Sequence, residues 1–238
     1  MILAGWRDHL GHIQQDLYRA HHNQHIWTDF RDAVIKNDPT ADGTFLASYS
    51  SVYAHSQGVV IRRQIDPDRR THSLVNLLGA ITRNPKVMSR TRFLEDRAGG
   101  REPDRLDGWF HQRDTEAWAR FAREDDPEHL NVEIPLNDIN TLTTELSDIK
   151  EWVDEQVAHL DRRRFMTIAN SGVPSFGRLR EALALLARTA QGYESLLTNG
   201  ATGDWTPTVQ GDWRQPLRRP VFPAAWHPWE DASPEDFT

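Results

Sequence analysis

The strongest constraint in this chain is how its helical pattern is punctuated. Apolar side chains recur at three- and four-residue spacing through several long stretches, and each stretch stops at a cluster that a helix cannot cross: Asn37-Asp38-Pro39, Asp66-Pro67-Asp68 and Asn84-Pro85. Proline lacks the amide hydrogen a helix interior needs and biases the residue before it out of the helical region. The alternating pattern of a half-buried strand is almost missing. The expected fold is therefore all-α, a helical bundle over residues 1–200, with an irregular Pro- and Trp-rich extension over residues 201–238.

The first helix is expected from about Leu3 to Lys36, with Leu10, Ile13, Leu17, Ile26, Phe30 and Val34 facing the core. The second covers about Thr44–Gln64, with Phe45, Tyr49, Val52, Tyr53, Val59 and Val60 as its apolar positions. Ser73 suits the N-cap of a short third helix, because a serine hydroxyl accepts from the unsatisfied amides of a first turn. Residues 86–135 are broken by Gly99-Gly100, Pro103, Pro127 and Pro135 into pieces near 86–96 and 114–124. Asn137 or Asp138 caps a long helix reaching about Arg164. A last helix opens at Pro174-Ser175 and closes at Asn199-Gly200.

Composition narrows the chemistry. With 38% hydrophobic residues in 238, a packed core is affordable, and the absence of cysteine removes disulfides, thiol nucleophiles and Cys-based zinc sites. The net charge of −7 argues against a protein that coats nucleic acid through bulk charge. Only three of the 28 basic residues are lysine, and the arginines cluster at Arg62-Arg63, Arg69-Arg70, Arg162-Arg163-Arg164 and Arg218-Arg219. Local phosphate contacts through Arg62 or Arg164 stay open, since arginine binds phosphate in a bidentate fork. No stretch is apolar enough for a signal peptide or membrane span, so an intracellular, cytoplasmic protein with no membrane contact is expected. Four tryptophans after Gly200 (Trp205, Trp213, Trp226, Trp229) imply a tail packed on the bundle or on a partner.

Two stretches carry a family resemblance. One is Arg63-Gln64-Ile65-Asp66 followed by Ser73-Leu74-Val75-Asn76-Leu77-Leu78 and Ile81. The other runs from Asp138-Ile139 to Val157-Ala158-His159-Leu160-Asp161, and a Pro-opened helix ending Tyr193-Glu194-Ser195-Leu196-Leu197 follows it. In this order, over roughly residues 10–200, they resemble the abortive-infection branch of the HEPN superfamily. The resemblance implies an all-α bundle of bacterial defence or toxin–antitoxin type that forms a homodimer, acts on RNA or meets a cognate antitoxin, and needs no cofactor. Active members cleave RNA with an arginine, four to six residues, then a histidine. The histidine moves protons and the arginine stabilises charge gathering on the phosphate.

His159 stands in the place of that histidine, but the positions for the arginine hold Asp154, Val153 and Trp152. The resemblance thus implies a binding protein that has lost the standard catalytic pair. An active ribonuclease is the alternative, pairing His159 with Arg162, Arg163 or Arg63. On a helical wheel, Ile139, Leu142, Leu146, Ile149, Val153, Val157 and Leu160 form one apolar stripe. His159 and Trp152 lie off it, on a flank that suits RNA or a partner. A third reading is a metal-dependent bundle enzyme. His9, His12, His21, His22 and His25 lie on the first helix, and the four-residue step from His21 to His25 lets both bind one metal ion from a single helix face, with His55 and His72 as further donors.

Overall fold

A computed structural model describes residues 2–37, 43–98, 108–155, 173–198 and Trp205, and among them the chain is all-helical. The elements are α1 (Ile2–Asn37), α2 (Gly43–Gln64), α3 (Leu74–Arg83), α4 (Arg90–Ala98), α5 (Gly108–Ala119), α6 (Glu133–Glu145), α7 (Ser147–Val153) and α8 (Phe176–Leu197). A short 3-10 turn, Pro85–Val87, precedes α4.

The helix starts are local chemistry. Ser73 Oγ accepts from the Asn76 amide at 3.1 Å to cap α3, and Ser175 Oγ does the same for Arg178 at 3.1 Å to cap α8. The loop before α3 is tied by Asn76, whose amide nitrogen donates to the carbonyls of Asp68 and Thr71. α6 begins at Glu133, earlier than the expected cap at Asn137 or Asp138, and runs through Pro135. A proline in the first turn blocks nothing, because amides there have no intrahelical partner. The expected continuous helix is also interrupted at Leu146, whose backbone (φ −106°, ψ 12°) leaves the helical region before α7 resumes.

One apolar core joins the elements. Leu10, Ile13 and Leu17 of α1 are fully buried against Leu183, Leu186, Ala190 and Leu197 of α8, with Leu77, Leu78 and Ile81 of α3 beside them. α2 packs on α1, α7 and α8, and α3 on α6. The inner face of α2 differs from the one its large apolar residues suggest. Tyr53, Ala54, Gln57, Gly58, Ile61, Gln64 and Ile65 are buried, whereas Tyr49, Val52 and Val59 are 49%, 65% and 42% exposed. Small and polar side chains let α2 lie close to its neighbours. Gln57 donates to the Ala20 carbonyl of α1 at 3.1 Å, and Gln64 accepts from the Leu74 amide at 3.2 Å while donating to Asp16.

The last turn of α8 contains no basic residue of its own. Its carbonyls are met from elsewhere: Arg7 Nε donates to Leu197 O at 2.5 Å, and Arg97 donates to Ser195 O. Two guanidinium groups from α1 and α4 therefore stand at the negative end of the α8 dipole. Among the described residues no helix is long and apolar enough to cross a membrane.

Candidate functional site

The corner where α2 meets α7 holds Asp154, Val153 and Trp152, the residues at which the resemblance leads one to expect an arginine. Asp154, at the nearest motif position, accepts from Arg62 Nε at 2.9 Å and from Lys150 Nζ at 2.7 Å. Arg62 also reaches Asp66 at 2.5 Å. Burial acts to raise the pKa of Asp154, but Lys150 and Arg62 outweigh it together, and the carboxyl sits below its ordinary value of 3.8. The pair raises the pKa of Arg62 in turn. Arg63, one residue on, is held at 2.6 Å by Asp16 of α1. Both arginines of this doublet thus face carboxylates and tie α2 to its neighbours. Arg162, Arg163 and Arg164 lie outside the described residues, as does His159.

Trp152 overturns its expected place on a surface flank. It is 3% exposed, packed on α2 with its ring stacked on His55 at 5.3 Å and 7°. One feature invisible to a helical wheel lets it in: Gly58 leaves a hole for the indole. A Cβ on Gly58 would lie 2.5 Å from Trp152 Cζ3 and 2.8 Å from Val153 Cγ2. A buried tryptophan in this position cannot offer its face to RNA.

An arginine followed by a histidine at the same spacing also occurs at Arg7/His12 and Arg123/His129, where Arg7 is engaged with Asp96 and Leu197, while Arg123 and His129 each pair with their own aspartate, Asp125 and Asp126.

The first-helix histidines separate into two groups. His21 and His25 do not build a metal site: His25 lies 3.6 Å from Asp29, and among the described residues no three His, Asp or Glu side chains are placed to hold a metal ion. His9 and His12 instead meet His72, the residue before the α3 cap, with ring centroids 4.9 and 4.5 Å apart. Burial and then His72 push the His9 pKa below 6.5, with His12 adding to this. A hydrogen bond to the Ser73 backbone and the charge of Asp8 oppose it. The folded state therefore holds fewer protons on His9 than the unfolded chain in mild acid, so stability falls as pH drops through about 6.5. Urea midpoints taken from about pH 7 down to about pH 5 are expected to decline, and less steeply in His9→Gln. Equal slopes in the two proteins would show that His9 is not the responsible group.

A third feature was not expected from the sequence. Between α1 and α2, Asn23, Ile26, Trp27, Tyr49, Val52 and Tyr53 line an open groove of about 270 Å³. Trp27 stacks on Tyr53 at 5.3 Å and on Tyr49 at 5.6 Å, and Phe176 of α8 meets both Trp27 and Tyr53 edge-on. Desolvation there raises the Tyr53 hydroxyl to about 12, so it stays protonated at physiological pH. The signal was present in the sequence as Tyr49 and Val52, but helical spacing marks them only as apolar positions of the second helix and does not say which of them face the core. Compared with known proteins, the chain matches no family, no curated protein and no solved structure.

Proposed function

We propose that this chain is a HEPN-like helical bundle of bacterial defence or toxin–antitoxin type that binds a partner protein and does not cleave RNA. The observation that carries the reading is Asp154. At the position where the resemblance requires a phosphate-stabilising arginine stands a carboxylate, fixed between Arg62 and Lys150. It would repel a phosphodiester, and its two cations are already neutralised by it and by Asp66. Arg63, the other described arginine considered for catalysis, would have to leave Asp16 first. A protein partner is favoured over RNA because the described arginines of this corner are ion-paired, whereas the open concave surface is aromatic.

The test is a ribonuclease assay on the full chain with EDTA present. The wild type and His159→Ala are expected to give the same background rate, whereas a working general acid–base contributes about 10²–10⁴-fold. RNA cleavage that disappears in His159→Ala would replace this reading with the active-nuclease alternative using Arg162 or Arg163.

A further inference from the structure

We infer that the outer face of α2 binds a second copy of this chain through an antiparallel α2–α2 contact, which makes that copy the partner in the function proposed and so rests on that reading.

The face is unusual in composition. Although 26% of the chain is charged, Gly43–Ile61 contains no Asp, Glu, Lys or Arg. Burial accounts for this only on the inner side, where Tyr53, Ala54, Gln57 and Gly58 pack on the neighbouring helices. The outer side faces solvent and is just as free of charge: Ser48, Tyr49, Val52, Ser56 and Val59 are all exposed. A helix normally carries its charges on the side turned to water, and their depletion is the compositional mark of an interface core.

The spacing is that of a helix-packing seam. Tyr49, Val52, Ser56 and Val59 follow one another by three, four and three residues. Ser56 keeps the middle of the seam low, so a facing helix can approach closely. Beside its first half, Asn23 and Ile26 of α1 complete the open groove of about 270 Å³ with Tyr49, Val52 and Ser56. The exposed rim of that groove makes the contact, and the buried Trp27 only backs it.

Size and charge select a second copy, turned antiparallel. A surface that meets its own copy about a twofold axis must be complementary to itself. With the axis midway between Val52 and Ser56, Val52 of each copy lies over Ser56 of the other, and Tyr49 over Val59. Each layer then sets a larger side chain against a smaller one, and Val59 meets the groove beside Tyr49. Arg63 continues the same stripe four residues after Val59 and is exposed. A parallel pair would set Arg63 against Arg63 and Tyr49 against Tyr49, whereas the antiparallel pair holds the two arginines at opposite ends, away from like charge.

The seam spans about 15 Å at about 1.5 Å per residue, short for an interface, so the pair is weak and depends on concentration. In sedimentation equilibrium the full chain is expected to pass from the mass of one copy toward that of two between about 1 and about 100 µM. Ser56→Arg, at an exposed position, is expected to raise the dissociation constant at least about tenfold while the circular dichroism stays unchanged. A chain that stays monomeric throughout, or a dimer just as tight in Ser56→Arg, would overturn the contact. The absence of native cysteine allows a second measurement. Val52→Cys chains mixed with Ser56→Cys chains are expected to form mixed disulfides about tenfold faster than Leu136→Cys chains mixed with Ser56→Cys chains, Leu136 being an exposed site on α6. Equal rates would remove the pairing as well. The ribonuclease assay separates the two claims. A monomer that cleaves no RNA loses the self-pairing and keeps the non-cleaving reading, whereas cleavage lost in His159→Ala removes that reading whatever the mass.

Discussion

Replacing Arg97 with methionine is expected to lower the unfolding free energy by about 3–5 kcal/mol, the cost of breaking one partner out of a buried ion pair. The side chains of Arg97 and Asp114 are only 7% and 5% exposed and lie 3.8 Å apart. Arg97 also crosses the Phe93 ring at 5.1 Å and caps the Ser195 carbonyl. Burial pushes its pKa below the usual arginine value and Asp114 opposes the shift. Methionine keeps the apolar stem and removes the charge, which leaves Asp114 with the exposed Arg113 alone, at 3.1 Å. Adding Asp114→Leu is then expected to restore about 1.5–3 kcal/mol, because an apolar pair fills such a space without uncompensated charge. Urea midpoints of the two variants decide it. If the double variant is no more stable than Arg97→Met, the loss comes from the α8 cap or the Phe93 contact and not from the stranded carboxylate.

The second large effect is at the α2–α7 contact. Trp152→Ala is expected to cost about 3–5 kcal/mol, the range for emptying a buried aromatic site. Gly58→Ala alone is expected to cost about 1–3 kcal/mol through overpacking, although alanine is the better helix former by about 1 kcal/mol. The two changes should not add. With the indole gone, the new methyl no longer meets Trp152 Cζ3, and Val153 has room to move from its 2.8 Å approach. In the Trp152→Ala background the cost of Gly58→Ala should therefore shrink by at least about 1 kcal/mol. Strict additivity would mean that Gly58 is not the hole that accepts the ring.

These two contacts also show what the sequence could and could not disclose. Ser73, Ser175 and the Asn-Pro stop after α3 act over three or four residues, so the caps and α3 are readable directly. Trp152 is not, because its burial depends on a glycine in another helix. Tyr49 and Val52 carry helical spacing but line the open groove, since Ala54, Gln57 and Gly58 form the face that packs closely. The meeting of His72 with His9 and His12 was open on spacing grounds. The rings do meet, yet among the described residues no metal-binding set forms. The acidic character of Asp154 and its i,i+4 partner Lys150 are legible in the sequence, but its partner Arg62 is brought to it only by the crossing of α2 and α7.

The guanidinium of Arg7 on Leu197 O joins residues 190 positions apart. Among the described helices α1 and α8 share the most contact, so the face of α1 is covered by a helix that follows it by about 140 residues. During synthesis the apolar face of Leu10, Ile13 and Leu17 must wait for most of the chain to emerge before α8 covers it. Contacts this distant slow folding, because the loop must close before any contact rewards it. A bundle of local hairpins would not have this delay. A chain ending before α8 would leave Leu10, Ile13 and Leu17 without the cover that Leu183, Leu186 and Ala190 give them.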